Sequence, residues 1–283
     1  MSQSNPGEAS SSFAALRWLL EADACEAIGE TPVNRFRPPA WEPAAHRPAD
    51  GGPVRRSAPR VQIAATAGPV QQGDHIGRAM ELAAACRTLA ELRSSLEAFD
   101  GCTLKQHATN TVFADGVADK RILLIGEAPG RDEDLQGRPF VGRAGKLLDR
   151  MLSAIGLDRK NNVYITNVLN WRPPNNREPS PEEAAACLPF LRRHIELVDP
   201  AVMVLLGAVS ARHVMGKSEG IMRLRGTWLE YYVNGRAVPV MPILHPAYLL
   251  RRPADKKLAW RDLQAIALKI RALRLLEPET TRG

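Results

Sequence analysis

The residues best suited to chemistry lie in three short segments rich in glycine, proline and polar side chains. The first is Gly126–Phe140, GEAPGRDEDLQGRPF, in which a Gly/Pro-rich turn is combined with four carboxylates within eight residues. Such carboxylates can act on water or on a cation, and the plainer alternative is a solvated acidic loop. A nucleotide-binding loop is not expected, because Gly142 is followed by Arg143-Ala144 and not by Lys-Ser/Thr.

The second segment extends from Asn167 to Arg177 and contains the stretch WRPPNNR. The amide of Asn167 offers both a donor and an acceptor, which is the pattern needed to read one edge of a base, although asparagine is equally typical of turns. Arg172 and Arg177 flank two rigid prolines and are candidates for contacts with phosphates.

The third segment is HPAYLLRRP, residues 245–253, and opens with a histidine that is either structural or catalytic. Its bulky apolar and basic side chains suit insertion into a DNA groove, with an apolar wedge between bases and arginines on phosphates. The alternative is the solvated face of an amphipathic helix. The candidate DNA-binding residues here are Tyr248, Leu249, Leu250, Arg251 and Arg252.

Four short apolar runs, separated by helical patterns, predict the scaffold. They are residues 121–125, 163–169, 201–206 and 238–244. Continuous apolar runs are typical of parallel strands covered by helices on both faces. We therefore predict a three-layer α/β/α sandwich with a central four-stranded, mainly parallel sheet. Ligands of such sheets bind beyond the carboxyl ends of the strands, where the three segments would meet.

Two helical patterns are distinctive. Leu82, Cys86, Leu89, Leu92 and Leu96 recur at helical spacing, and Ser180-Pro181-Glu182-Glu183 has the N-cap, N1 proline and capping-box glutamate of a helix start.

Composition separates the chain into three parts. Residues 1–30 predict a short helix, residues 31–75 carry eight prolines and predict a flexible linker, and residues 76–283 predict the folded domain. The chain has 283 residues and a net charge of +7, which favours a polyanionic partner. Without a secretory signal or an apolar run that spans a bilayer, we expect a cytoplasmic protein with no membrane association.

Several ordered motifs now identify a resemblance. GEAPG, GRPFVGRAG, NVLNWRPPNNR, the LRG of residues 224–226 and HPAYLLR together resemble the family 4 uracil-DNA glycosylases, over roughly residues 99–265. The resemblance implies the uracil-DNA glycosylase fold. It also implies an enzyme that flips uracil out of DNA and hydrolyses its N-glycosidic bond, leaving an abasic site.

Site residues follow from the same motifs. The resemblance implies that Phe140 stacks on uracil, that Asn167 bonds its edge and that His245 stabilises charge on its O2. Ala128 is placed with the substrate-binding residues. Glu127 or Glu133 would orient the attacking water or stabilise the sugar cation, and Asn176 would hold that water; the motifs do not decide between the two glutamates.

One departure concerns the cofactor. The family's four-cysteine iron–sulfur cluster would need ligands at positions occupied here by Phe99, Cys102, Trp171 and Cys187. Two of the four ligands are therefore replaced by large aromatic residues. Cys25 and Cys86 lie outside the motif, although either is in principle a substitute ligand. We predict a relative without a cluster, with no metal and no other cofactor.

Three functions remain open at this point. The leading one is a monomeric, monofunctional uracil-DNA glycosylase, since no lysine occupies a motif position suited to Schiff-base chemistry. The second is a glycosylase that accepts other deaminated bases. The third is a protein that binds uracil or abasic sites in DNA and turns over poorly.

Overall fold

The structure, a computed structural model, describes residues 74–276. The predicted N-terminal helix and all but the end of the predicted linker lie outside the described residues. Six strands form one sheet with the spatial order β1-β3-β2-β4-β6-β5. The strands are β1 (Asp115–Gly116), β2 (Ile122–Gly126), β3 (Tyr164–Asn167), β4 (Val202–Leu206), β5 (Leu229–Val233) and β6 (Arg236–Ile243).

The four central strands, β3, β2, β4 and β6, are parallel and correspond to the four predicted runs. The prediction of four strands in total was wrong, because antiparallel strands β1 and β5 extend the two edges. β1 has only two residues, and burial along β5 largely alternates. Such edge strands lack the continuous apolar run by which the central strands are found.

Nine α-helices accompany the sheet in residues 74–276. They are α1 (Asp74–Ala85), α2 (Leu89–Ala98), α3 (Arg131–Gln136), α4 (Arg143–Ser153), α5 (Pro181–Val198), α6 (Ala208–Met215), α7 (Ile221–Leu224), α8 (Pro246–Arg251) and α9 (Lys256–Ala272). None of them is long and apolar enough to cross a membrane.

Helix ends follow local side-chain chemistry. The run from Leu82 to Leu96 is two helices, because the Thr88 side chain accepts a hydrogen bond from the Glu91 amide and starts α2. The predicted capping box is confirmed: Ser180 Oγ accepts from the Glu183 amide at 3.2 Å, and Glu183 Oε2 accepts from the Ser180 amide at 2.8 Å.

Two apolar cores, one on each face of the sheet, complete the predicted three layers. Ile122 and Leu124 of β2 belong to the core that includes α4 and α9. Leu123 and Ile125 belong to the core that includes α1, α2 and α5. Alternation along a strand thus distributes one apolar run between two cores.

Candidate active site

A cavity of about 190 Å³ opens at the carboxyl ends of the central strands. All three predicted segments contribute to it: Glu127 follows β2, Asn167 ends β3 and His245 follows β6. We call it the pocket. It is lined by Glu127, Ala128, Pro129, Gly130, Glu133, Phe140, Ala144, Asn167, Pro173, Asn176, Arg177, His245 and Ala247.

Asn167 is a buried polar residue with an unused acceptor. It is 2% exposed and is paired in register with Gly126 of β2, yet its Oδ1 has no hydrogen-bond partner. A buried amide oxygen without a donor is costly, so this atom indicates a ligand that brings a hydrogen-bond donor. A Cβ on Gly126 would collide with Asn167 Oδ1 and lie 2.5 Å from Phe140 Cζ. Only glycine therefore lets these two side chains meet.

Phe140 supplies an aromatic wall of the pocket. Its backbone has a left-handed φ of 54°, a costly conformation for a bulky residue. Its ring lies 5.7 Å from the imidazole of His245, at an interplanar angle of 36°. The structure thus brings together the residues expected to stack on a base and to stabilise its charge.

Glu133 holds the loop that carries Phe140. Its Oε1 accepts hydrogen bonds from the Val141 and Gly142 amides at 2.9 Å each, and its Oε2 accepts from the Gly130 amide at 3.1 Å. Both oxygens are therefore committed to backbone donors. These hydrogen bonds tie Glu133 to the backbone of the pocket wall, which favours Glu127 over Glu133 as the carboxylate that acts on water.

His245 is a neutral hydrogen-bond donor in this setting. Its Nδ1 accepts from the Ala247 amide at 3.1 Å, so the neutral ring carries its proton on Nε2. Burial, reinforced by the nearby charge of Arg251, lowers the pKa of His245 to about 4. Gly207, with a φ of 97°, allows the close approach, because a Cβ there would lie 3.0 Å from the His245 Cβ.

The surroundings of Glu127 favour its protonated form. Burial raises its pKa, the neighbouring charge of Glu178 raises it further, and Arg212 opposes the change. A carboxylate with a raised pKa takes up a proton more readily at neutral pH.

Two predicted phosphate ligands are engaged in other contacts. Arg172 donates from Nε to Asn176 Oδ1 at 2.8 Å, which orients the side chain of Asn176 towards a fixed partner. Arg177 forms an ion pair with Glu183 at 2.5 Å, at the start of α5. Both arginines therefore organise the loop that lines the pocket.

The segment after His245 forms helix α8, and the candidate DNA-binding residues on it differ in solvent exposure. Leu249 is 0% exposed and packs in the α4–α9 core, so it is not available as a wedge in this structure. Leu250 is partly exposed, and Arg251 and Arg252 are exposed. The Tyr248 hydroxyl donates to Asp255 Oδ2 at 2.7 Å and ties the segment to the start of α9.

Comparison with known proteins decides the family. A profile of the Uracil DNA glycosylase superfamily matches residues 113–264. A type-4 uracil-DNA glycosylase of Archaeoglobus fulgidus is 48% identical over 153 residues, which cover 52% of this chain and 76% of the relative. The chain belongs to the type-4 uracil-DNA glycosylases.

Other relatives agree. A type-4 uracil-DNA glycosylase of Thermotoga maritima is 46% identical over 156 residues, covering 55% of this chain and 79% of the relative. One from Sulfurisphaera tokodaii is 38% identical over 184 residues, covering 63% of this chain and 83% of the relative.

The family's iron–sulfur cluster can be tested against the side chains present. The four matching positions, which we call the cluster corner, are Phe99, Cys102, Trp171 and Cys187, all buried in one apolar core. The two sulfur atoms lie 3.9 Å apart, and the Trp171 indole donates to Thr111 Oγ1 at 3.0 Å.

Within residues 74–276, the remaining cysteine does not complete a ligand set. Cys86 directs its thiol to the Leu82 carbonyl at 3.1 Å, and Cys25 lies outside the described residues. Within residues 74–276, no three His, Cys, Asp or Glu side chains form a group able to hold a metal ion. A four-thiolate cluster does not fit the residues of the cluster corner.

The sequence interpretation placed Gly126 in a turn but assigned neither Gly126 nor Gly207 its role of making room for a pocket side chain. Gly126 and Gly207 end or follow strands and stand directly beside Asn167 and His245. Glycine immediately after an apolar run was the available signal, because close approach to a side chain is a common reason for glycine there.

Proposed function

We propose that this protein is a monofunctional uracil-DNA glycosylase that hydrolyses the N-glycosidic bond with an activated water and leaves an abasic site. The observation that carries this proposal is the buried, unpartnered Oδ1 of Asn167 in a pocket walled by Phe140 and His245. A base can reach such a pocket only after it has been flipped out of the duplex.

Recognition of uracil follows from the edge of the base. The N3–H group of uracil donates to Asn167 Oδ1, and the ring stacks against Phe140. Cytosine has no proton at N3, so it would leave the buried oxygen without a donor at that position. An unpaired buried polar group of this kind penalises the wrong base.

Bond cleavage uses two of the titratable residues that line the pocket, Glu127 and His245. As the C1′–N1 bond breaks, its electron pair moves onto the base, and the Nε2–H of neutral His245 stabilises the charge on O2. The oxygen of water bonds to C1′, and Glu127 takes the proton that water gives up. Asn176, whose Oδ1 accepts a hydrogen bond from Arg172, orients that water.

DNA contacts belong to the exposed side chains beside the pocket. Arg251 and Arg252 bind phosphates, and Leu250 replaces Leu249 as the wedge that fills the vacated stack. Because the wedge and the pocket are joined through helix α8, His245 and Leu250 approach the flipped nucleotide as one unit.

Two finer features complete the proposal. The enzyme works without an iron–sulfur cluster, because aromatic side chains occupy two ligand positions of the cluster corner. It has no lyase activity, because none of the pocket-lining residues within 74–276 is a lysine that could form a Schiff base with the sugar.

The test is base release from a duplex with a single uracil, followed by alkali to reveal abasic sites, using protein purified without oxygen. We expect strand breaks only after alkali and a preparation without iron. Breaks before alkali would contradict monofunctionality, and stoichiometric iron would contradict the cluster-free assignment. Tight binding without release would favour the lesion-binding alternative. Equal release of uracil, hypoxanthine and xanthine would favour broad specificity.

A further inference from the structure

Arg159 lies in the loop between α4 and β3, outside the pocket, and uses every donor that it has. It is 15% exposed. Its Nε and Nη2 donate to Asp149 Oδ1 at 2.9 and 2.7 Å, and its Nη1 donates to Asp115 Oδ2 at 2.9 Å. The remaining two N–H groups donate to the carbonyls of Pro139 and Phe140 at 3.0 and 2.8 Å. A guanidinium has five N–H donors, so all five are accounted for.

The two carbonyls that Arg159 binds belong to the most constrained part of the pocket wall. Phe140 is held in left-handed backbone, which a bulky residue adopts only when its surroundings impose it. Arg159 fixes the chain at and before Phe140, and Glu133 fixes the amides after it. Gly145 of α4 closes the arrangement, because any Cβ there would collide with the Phe140 carbonyl.

We propose that Arg159 is a positioning residue for the reaction: by holding the Pro139 and Phe140 carbonyls, it sets the plane of the Phe140 ring against the flipped base. This inference rests on the proposed function of the pocket. Asp115 shares Nη1 with the Pro139 carbonyl, and Asp149 shares Nη2 with the Phe140 carbonyl, so each carboxylate orients a nitrogen that also binds the pocket wall. Arg159, which follows α4 whereas Phe140 precedes it, thereby determines how the Phe140 ring stacks on the base.

The chain offers a matched control. Arg121 also binds an aspartate and a backbone carbonyl, donating from Nη2 to Asp199 Oδ2 at 2.8 Å and from Nε to Asp199 O at 2.7 Å. It does not line the pocket. Arg121→Met therefore removes a comparable ion pair without touching the wall that carries Phe140.

The experiment compares Arg159→Met with Arg121→Met under single-turnover conditions on a duplex with one uracil. Because small misplacement of a binding group can cost up to about 100-fold, we expect uracil release by Arg159→Met to slow by about 10- to 100-fold. We expect Arg121→Met to stay within about twofold of wild type. Affinity for a duplex with an abasic site, which has no base to stack, should be unchanged in both. Equal rates in the two variants would overturn the proposal.

A double-mutant cycle with Phe140→Ala tests whether Arg159 acts through that ring. Residues that act through one another are non-additive, so Arg159→Met should slow Phe140→Ala by no more than about twofold. Full additivity of the two losses would contradict the positioning role. Should Arg159→Met not fold, Arg159→Lys keeps the charge but not the five-donor fork, and the same cycle applies.

Failure of the inference and failure of the proposed function give different results. If wild-type protein releases no uracil, the function fails, and the inference is then tested on binding of free uracil by calorimetry. Weaker uracil binding by Arg159→Met than by Arg121→Met supports the positioning role. Equal binding contradicts it.

Discussion

The pocket and the cluster corner differ in how their polar atoms are satisfied. In the pocket, Asn167 Oδ1 is buried without a partner and Phe140 has a left-handed backbone. In the cluster corner, the Trp171 indole has its hydrogen bond and the two thiols contact each other. The pocket thus holds a buried acceptor without a partner, whereas the indole and the thiols of the cluster corner contact other protein groups.

This difference predicts which region acts on a ligand and which one stabilises the fold. Unpaired buried atoms and constrained backbone lower stability, so they persist where a ligand uses them. Large aromatic residues at former ligand positions bury apolar area and fill volume, which stabilises a fold directly. We therefore expect changes in the pocket to reduce base release, and changes in the cluster corner to reduce the free energy of unfolding.

The largest effect is expected from Glu127→Gln. The amide keeps the size of the side chain but cannot take a proton from water, so the single-turnover rate of uracil release should fall by about 10²- to 10⁴-fold. Thermal stability should hardly change. A loss of less than about tenfold would show that the pocket's raised-pKa carboxylate is not the base.

The pH profile gives an independent check on Glu127. Its pKa is raised, and it must be ionised to accept a proton, so release should decline as the pH falls through that raised value. In Glu178→Gln, which removes a charge that raises the pKa, the acid limb should move to lower pH. An acid limb that does not move in Glu178→Gln would show that the pH profile does not report the ionisation of Glu127. Because the pKa of His245 is lowered to about 4, its ring stays neutral at pH values well above 4.

The next largest effect should come from His245→Asn. Asparagine can still cap helix α8 by accepting from the Ala247 amide, but it lacks the Nε2–H that reaches the pocket. Loss of one preorganised donor to a developing anion costs about 10²- to 10³-fold in rate. Affinity for abasic-site DNA is the control and should persist. Unchanged release would remove His245 from the mechanism.

Gly126→Ala should have an intermediate effect. The added methyl collides with Asn167 Oδ1 and the Phe140 ring, so one or both must shift away from the base. We expect uracil release to slow by about 10- to 100-fold. The control is Gly77→Ala on α1, where an added Cβ would meet nothing within 4 Å. Gly156→Ala is unsuitable, because the φ of 77° at that position is strained for alanine. A wild-type rate of uracil release by Gly126→Ala would indicate that Asn167 and Phe140 can shift without loss of activity.

The sequence sufficed to predict the elements whose structure depends on local residue types, such as apolar strands and capped helix ends. The central strands are continuous apolar runs because both faces are covered, and Ser180 with Glu183 satisfies its helix end locally. β1 and β5 escaped prediction because an edge strand needs neither length nor continuous apolarity. Leu249 looked like an exposed wedge because its burial depends on the core that includes α4, which lies far earlier in the sequence.

The sequence motifs identified which residues lie at the site, but not which role each of them has. The motifs named Glu127 and Glu133 together, and only the hydrogen bonds of Glu133 to three backbone amides distinguish a loop-holding glutamate from a free one. Arg159 carried no local signal, because its partners Asp115 and Pro139 are 44 and 20 residues away. Long-range polar contacts of this kind are properties of the folded chain.

The smallest effect on base release is expected from Trp171→Phe, which sharpens the contrast between the two regions. Phenylalanine keeps an aromatic ring in the cluster corner but removes the indole hydrogen bond to Thr111 and part of the buried volume. Because a buried partner is lost and a small cavity is left, the free energy of unfolding should fall by about 1–3 kcal/mol, measured by urea denaturation. Release by the folded enzyme should stay within about twofold of wild type. Since Trp171 directly precedes the loop that carries Arg172 and Asn176, a large loss of rate would instead mean that the packed corner holds the water-orienting loop in place, and the two regions would then work as one.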